Sequence, residues 1–192
     1  VDELYSGVCT LEVSPEELNT FQAERLLPLT DKWGVSLCPN QYVIMQNKLI
    51  PGKKLYGRFN AKKKGIIPLI NKREGIWGVY PKNVEQQFAF DALLNDEIKL
   101  VTLIGKAGTG KTLMAIAAGL EMCLTENKYD RVLVSRPVMP MGKDIGFLPG
   151  DVNDKLGPWM QPIFDNMDFL FRSKGEPKSS GASKNGGQER SS

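Results

Sequence analysis

The residues best suited to chemistry form one short stretch, GKAGTGKT, which runs from Gly105 to Thr112. It fits the pattern GxxxxGK[ST] at every fixed position. Glycines at those positions let the backbone turn with positive φ and approach an anion without a Cβ clash. The exposed amides then form an anion-binding nest, and the helix that follows adds its positive N-terminal end. The stretch therefore predicts a loop that holds the phosphates of a nucleotide.

Two side chains of this loop have predicted roles of their own. Lys111 is expected to reach the β- and γ-phosphates as a mobile positive charge, and it is the predicted catalytic residue. Thr112 is expected to offer its hydroxyl to Mg²⁺. The alternative is a glycine-rich turn that binds nothing, which the position between a strand and a helix disfavours. The predicted cofactor-binding residues of the loop are Gly105, Lys106, Ala107, Gly108, Thr109, Gly110, Lys111 and Thr112.

The elements around the loop predict an α/β fold. IKLVTLIG is a continuous apolar run that suits a strand buried on both faces of a parallel sheet. KTLMAIAAGLEMCL is rich in helix-forming residues, and RVLVSRP is a second apolar run. Strand, helix and strand in this order predict a right-handed βαβ unit. The predicted architecture is a partial P-loop NTPase sheet with a small β appendage on its N-terminal side.

Four segments are predicted along the chain. A lead-in contains a helix capped by Ser14, with Pro15 and Glu17 at favourable positions. Three short apolar runs, QYVIMQN, KKLYGRFN and GIIPLI, then predict strands of a small basic subdomain. The ATPase part begins with an amphipathic helix capped by Asn83. The segments are residues 1–35 (lead-in), 36–80 (basic β subdomain), 81–171 (partial P-loop ATPase domain) and 172–192 (disordered tail).

The end of the ATPase part and the tail differ in composition. Apolar residues recur at helical spacing from Val152 to Leu170, and Pro158 and Pro162 are expected to kink or break that helix. The tail from Arg172 to Ser192 has too few apolar residues to offset its ordering entropy, so we expect it to be disordered.

The composition excludes several classes of protein. The chain has no histidine, which removes catalysis by a Ser-His-Asp or Cys-His arrangement from this segment. Cys9, Cys38 and Cys123 lie far apart, and we expect buried thiols in a reducing compartment rather than disulfides or a zinc site. No apolar run is long enough to span a membrane, and no signal-peptide pattern is present. We expect a cytoplasmic protein, and the first residue, Val1, indicates a piece cut from a longer protein or a processed one.

Positive charge is concentrated between Lys48 and Arg73, where nine lysines and arginines occur without an acidic residue. Cations can follow a phosphate backbone and aromatic rings can stack on bases, so single-stranded RNA is a predicted partner. The alternative is a solvated strand edge whose lysines block pairing with other strands. The residues of this predicted surface are Lys53, Lys54, Arg58, Lys62, Lys63 and Lys64, with Tyr56 and Phe59.

Three segments resemble a known family. YPKNVEQQFAFDALL, LVTLIGKAGTGKTLMAIAAGLE and SRPVMPMGKDIGFLPGD closely resemble the PhoH family of ATPases, in the form in which a PIN ribonuclease domain precedes the ATPase. The resemblance covers nearly all of residues 1–171. It implies a RecA-like core related to superfamily 1 helicases, ATP with Mg²⁺ as cofactors, and RNA as the polymer acted on.

The resemblance also implies roles for residues outside the loop. Gln86 matches a glutamine that reads the adenine edge in related helicases, a task that suits an amide with a donor beside an acceptor. Gln87 follows directly, and a solvated glutamine on a helix face is the alternative. Arg136, at the end of the second strand, matches a place that contacts nucleic acid or transmits the nucleotide state, or it is a simple strand-end turn. Asp151 is expected to be no more than a helix cap.

A second acidic group for the metal is missing from the sequence. P-loop ATPases hold Mg²⁺ with an Asp at the end of an apolar strand, and no such run follows Thr112. The chain therefore resembles the front half of a PhoH ATPase domain, which is expected to bind ATP weakly, to hydrolyse it slowly and to be marginally stable or to associate. The alternatives are a nucleotide-binding interaction module without turnover, which assembles into a homo-oligomeric ring, and a truncated product.

Overall fold

The computed structural model describes residues 7–47, 52–70, 72, 75–135 and 152–175, and in the last segment it describes side chains from Met160 to Lys174. These residues fall into two compact units. The first lies within residues 1–74 and 80–114, and the second within residues 75–79 and 115–192.

A five-stranded sheet is the centre of the first unit, with the strand order β1-β3-β4-β5-β2. β1 runs parallel to β3, and the other neighbours are antiparallel. The three strands predicted from QYVIMQN, KKLYGRFN and GIIPLI are confirmed as β3, β4 and β5, whereas β1 and β2 were not predicted. The bounds are β1 Val8–Glu12, β2 Leu27–Pro28, β3 Tyr42–Gln46, β4 Lys54–Asn60 and β5 Gly65–Pro68.

The first helix, α1 (Pro15–Glu24), begins as the sequence predicts. The Glu17 amide donates to the Ser14 hydroxyl at 3.2 Å, and the Ser14 amide donates to the Glu17 carboxylate at 2.8 Å. These two bonds form the predicted capping box. The helix buries Leu18 and Phe21 in the core of the unit, together with apolar side chains from the sheet. The cap and this apolar face therefore fix α1 on the sheet.

The second helix, α2 (Val84–Leu93), is capped by Asn83 as predicted. The ring of Phe88 stacks on that of Tyr42 in β3, with 4.4 Å between the ring centroids. Tyr56 of β4 packs against the same phenylalanine edge to face at 6.1 Å. Aromatic pairs at these separations add to the free energy of ordinary apolar burial. The helix is thus packed directly on the sheet.

A buried charged group joins α2 to the sheet at Asp91, whose side chain is fully buried. The Arg58 Nε donates to the Asp91 carboxylate at 2.8 Å, and the Tyr42 hydroxyl donates to the same oxygen at 3.0 Å. The other carboxylate oxygen accepts the Ile70 amide at 2.7 Å. Burial, with the nearby Asp91 charge, raises the pKa of the Tyr42 phenol, so Tyr42 stays protonated as a donor. Because both oxygens of this buried carboxylate accept hydrogen bonds, Asp91 keeps α2 in one position on the sheet.

The third helix, α3 (Lys111–Leu120), follows the glycine loop and continues into a π-helical turn, Glu121–Thr125. The strands predicted on either side of it are wrong, because residues 98–105 and 131–135 form no strand. Leu100 and Ile104 are 85% and 91% exposed, and Leu133 is 85% exposed. A parallel strand needs hydrogen-bonded neighbours and cover on both faces, and neither segment has them among the described residues. The predicted βαβ unit is therefore not formed there.

The second unit contains the last helix, α4 (Val152–Gly175). Of the predicted kink or break at Pro158 and Pro162, the break is wrong, since the helix continues through both residues. Its buried side chains include Ile163 and Leu170, and Phe171 packs edge to face on the buried ring of Trp77 at 5.2 Å. The helix reaches Gly175, so the first residues of the predicted disordered tail are helical, and residues 176–192 lie outside the described part of the chain.

The α/β fold class is confirmed, with five strands and four α-helices among the described residues, an arrangement consistent with a partial P-loop NTPase fold. Among the same residues no helix has the length and apolar character needed to cross a membrane. The prediction of buried thiols holds for Cys123 alone, because Cys9 is half-buried and Cys38 is exposed. Cys9 lies in β1, at one end of the strand order of the sheet.

Candidate phosphate-binding site

Two of the three glycines of the loop adopt the positive φ that the sequence predicts, whereas Gly105 does not. Gly108 and Gly110 have φ values of +77° and +80°, in the region that glycine alone enters without strain. A Cβ at Gly108 would meet no atom within 4 Å, so the loop is open to an incoming group on that side. The loop then passes directly into the first turn of α3 at Lys111. An anion in the loop would face both the backbone amides and the helix N-terminus.

The Lys111 ammonium folds back over this loop. Its Nζ donates to the carbonyl oxygens of Gly105 at 2.9 Å and Lys106 at 2.6 Å, and it lies 3.2 Å from the Thr109 hydroxyl. The Thr109 hydroxyl in turn donates to the Lys106 carbonyl at 2.9 Å. These neutral oxygens are weaker partners for an ammonium than a phosphate is. The lysine therefore lies where a phosphate entering the loop would attract it.

Thr112 lies in the first turn of α3, and its side chain is exposed. No described group forms a hydrogen bond with its hydroxyl, which leaves the oxygen available to a ligand. The described residues contain no group of three or more Asp, Glu or Cys side chains that could hold a metal ion. A single hydroxyl fits the way proteins hold Mg²⁺ beside a nucleotide, where the phosphates and water supply most of the ligands.

Gln86 lies against the glycine loop from the first turn of α2. Its side-chain Nε2 donates to the Thr109 carbonyl at 3.3 Å, and its Oε1 accepts the Lys82 amide at 2.7 Å. Gln87, the neighbour that the sequence left open, makes no side-chain hydrogen bond to the loop. The structure thus brings Gln86 rather than Gln87 to the loop.

The predicted RNA-binding surface is only partly exposed. The inclusion of Arg58 in this surface is wrong, because the residue is only 4% exposed and its guanidinium is paired with Asp91. Phe59 is buried in the core, and Tyr56 packs against Phe88. No base could stack on the Phe59 ring without unfolding the sheet. The exposed cations of the set are Lys54, Lys62, Lys63 and Lys64, with Lys53 half-buried.

The exposed lysines form two groups at opposite ends of β4. Lys54 begins the strand, and residues 62–64 form the turn after it. At the usual rise per residue, the ends of β4 lie about 20 Å apart. The alternative of a protective edge is wrong, since β4 pairs with a strand on each side. Lys62 forms an exposed ion pair with Glu97 at 2.7 Å, and that hydrogen bond lowers the pKa of Glu97.

Two further predicted residues, Arg136 and Asp151, lie outside the described residues. Asp91, which positions the helix that carries Gln86, was not predicted from the sequence. One signal was present in the sequence, because Asp91 interrupts the apolar run FAFDALL on a helix otherwise suited to burial. A charge at such a position indicates a buried partner elsewhere in the chain.

Comparison with known proteins places the chain in a family. The family model described as PhoH-like protein matches residues 78–181, a span that includes Gln86, the glycine loop and α3. The chain belongs to the PhoH-like protein family. The resemblance inferred from the three sequence segments is therefore confirmed.

Individual PhoH-like proteins extend the similarity toward the N-terminus. The chain is 44% identical over 173 residues to protein PhoH2 of Bacillus subtilis (strain 168), covering 90% of the chain and 39% of that relative. It is 34% identical over 168 residues to protein PhoH2 of Mycolicibacterium smegmatis, covering 86% of the chain and 37% of that relative. The chain thus spans less than half the length of either relative. No solved structure matches it.

Proposed function

We propose that this chain is the nucleotide-binding segment of a PhoH-like ATPase and that it holds the phosphates of ATP with Mg²⁺. The observation that carries the proposal is the position of the Lys111 ammonium within 2.6–3.2 Å of the glycine-loop oxygens, at the N-terminus of α3. In this proposal the ammonium exchanges those oxygens for the β- and γ-phosphates, and the loop amides bind the same anion. Thr112 would be one ligand of Mg²⁺, which supplies charge neutralisation on the phosphates when bound.

The family implies both binding and hydrolysis of ATP, and hydrolysis needs more groups than binding does. Lys111 would stabilise charge on the transferring phosphoryl group, which is the main task of a protein in phosphoryl transfer. A residue that orients the attacking water and a second acidic metal ligand are also needed. The sequence after Thr112 contains no run of four apolar residues ending in Asp or Glu. We therefore propose that this chain binds ATP and, by itself, turns it over slowly.

The test measures binding and turnover on one preparation. Titration calorimetry with MgATP gives the dissociation constant, and phosphate release gives the rate, each with and without single-stranded RNA. The proposal predicts saturable binding with little phosphate release. Fast release that Lys111→Met abolishes would show that the chain holds a complete hydrolytic site. Absence of saturable MgATP binding would refute the proposal.

A role in binding single-stranded RNA is the second proposal, and the turn formed by residues 62–64 supports it. This turn presents three adjacent and exposed lysines, and adjacent cations can neutralise successive phosphates. The oligomeric ring and the cytoplasmic location expected from the sequence also remain predictions.

Replacing Lys62, Lys63 and Lys64 together by Gln tests this turn. We expect RNA affinity to fall, and the slope of log K against log salt to become shallower by about 2, because each single-strand phosphate contact adds about 0.7 to the slope. The measurement is fluorescence anisotropy with a labelled oligonucleotide at several salt concentrations. The control removes the same charge elsewhere, with Lys32→Gln, Lys128→Gln and Arg172→Gln. Equal losses in the two triple variants would argue against a specific RNA-binding turn.

A further inference from the structure

We infer that Gln86 is a positioning residue for the glycine loop, where it orients the peptide group between Thr109 and Gly110. This inference rests on the proposed function, since it concerns a loop that holds phosphates. It differs from the role that resemblance implies for Gln86, because it acts on the phosphate end of a nucleotide and not on the base.

The Gln86 side chain is fixed at both ends by backbone atoms. Its Nε2 donates to the Thr109 carbonyl at 3.3 Å, and its Oε1 accepts the Lys82 amide at 2.7 Å. The backbone amide of Gln86 is itself capped by the Asn83 side chain at 2.8 Å. The side chain therefore joins the N-terminal cap of α2 to the glycine loop through hydrogen bonds.

Holding the Thr109 carbonyl also fixes the amide of the next residue. The peptide group is planar and trans, so the Thr109 carbonyl and the Gly110 N–H point in opposite directions. A carbonyl held toward Gln86 turns the Gly110 N–H away from Gln86. Gly110 is the second of the positive-φ glycines, and a Cβ there would lie 3.8 Å from the Gln86 Nε2. Gln86 thus lies on the side of the loop opposite the Gly110 N–H. Its hydrogen bond to the Thr109 carbonyl sets the direction of that N–H.

The same threonine connects this support to the phosphate-binding lysine. The Thr109 hydroxyl lies 3.2 Å from the Lys111 Nζ, while its carbonyl accepts from Gln86. The support is firm because α2 is anchored to the sheet through Asp91, whose carboxylate is fully buried and hydrogen-bonded on both oxygens. A loop whose amide is aimed before the ligand arrives loses less entropy on binding. Loss of Gln86 should therefore weaken binding of any polyphosphate, whatever its base.

The experiment compares Gln86→Met with the matched control Gln87→Met. Methionine keeps the length and helix propensity of glutamine but removes the hydrogen bonds. Calorimetry measures MgATP, MgGTP and magnesium tripolyphosphate, which has no base. We expect Gln86→Met to weaken all three about two- to tenfold, the range of one net hydrogen bond, and Gln87→Met to leave them unchanged. A loss confined to MgATP, or equal losses in the two variants, would overturn the inference.

A second measurement needs no nucleotide. The heteronuclear NOE of the Gly110 amide reports fast backbone motion, and we expect it to fall in Gln86→Met and not in Gln87→Met. If the unmodified chain bound neither MgATP nor tripolyphosphate, the proposed function would fail, and this measurement would still decide whether Gln86 holds the loop. An unchanged NOE in Gln86→Met would show that it does not.

Discussion

The Lys111→Met variant is expected to bind MgATP about a hundredfold more weakly than the unmodified chain. Charge-assisted hydrogen bonds are worth roughly 1.5–3 kcal/mol each. Because the ammonium gives up its hydrogen bonds to the loop carbonyls when it contacts the phosphates, the net loss in Lys111→Met is about that of one such bond, close to the ~2.7 kcal/mol of a hundredfold change. The residue is well placed for these contacts, because its Nζ already lies 2.9 Å from the Gly105 carbonyl within the loop. Titration calorimetry at fixed ionic strength measures the change.

The control for this prediction is Lys99→Met, which removes the same charge in the same unit. Lys99 is exposed, and its Nζ donates to the Asp96 carbonyl at 2.6 Å rather than to the loop. We expect Lys99→Met to retain the affinity of the unmodified chain within about twofold, because exposed charges are strongly screened by salt. If Lys111→Met and Lys99→Met bound MgATP equally well, Lys111 would have no direct contact with the phosphates.

The Asp91→Ala variant is expected to lower the free energy of unfolding by about 3–5 kcal/mol. The substitution leaves the Arg58 guanidinium buried at 4% exposure without its carboxylate, and it removes the acceptors of Tyr42 and the Ile70 amide. An unpaired buried charge costs far more than an ion pair contributes. Urea unfolding, followed by circular dichroism, gives the free energy from the midpoint and slope.

Asp168→Ala is the matched control for this stability measurement. Asp168 pairs with Arg172 at 3.2 Å on the surface of α4, and its side chain is 75% exposed. We expect that substitution to cost less than about 0.5 kcal/mol, as is usual for an exposed pair at helical spacing. The double variant Asp91→Leu with Arg58→Met should recover part of the loss, because it leaves no buried charge. Equal destabilisation by Asp91→Ala and Asp168→Ala would contradict the role of Asp91 as an anchor.

The elements predicted correctly are those whose signals are local. The capping box at Ser14 and the cap at Asn83 each depend on residues within one helical turn, and each of the apolar or alternating runs that form β3–β5 lies within a few residues. The short strands β1 and β2 were missed because their partners lie far along the chain: β1 pairs with β3 across the whole of α1. No local pattern specifies such a pairing.

In the candidate site, too, features formed by consecutive residues could be predicted from the sequence, whereas contacts between residues far apart in the chain could not. The glycine loop could be identified from the sequence because its residues are eight consecutive positions, and the phosphate-binding role assigned to it stays a prediction. The contact between Gln86 and Thr109 spans 23 positions, and that between Arg58 and Asp91 spans 33. Arg58 was assigned to the RNA-binding set because it lies among lysines in sequence, whereas its partner is set by the tertiary fold. A basic cluster therefore indicates a binding surface only after its buried members are removed.

The apolar runs beside the loop were the largest error. Their composition predicted strands buried on both faces, yet Leu100 and Ile104 are exposed. Apolar composition indicates which side chains gain from burial, but it does not supply the neighbouring strands and helices that would cover them. These exposed side chains support the prediction that the chain is marginally stable or associates, which sedimentation measurements would test.

Amide chemical-shift mapping with MgATP tests the central claim most directly. The chain, labelled with ¹⁵N, is titrated with MgATP while the backbone amide signals are followed. We predict saturable shifts concentrated at the amides of residues 105–112, and their loss in Lys111→Met. Absence of saturable shifts, or shifts centred elsewhere and unchanged in Lys111→Met, would contradict the claim that this glycine loop holds the phosphates of ATP.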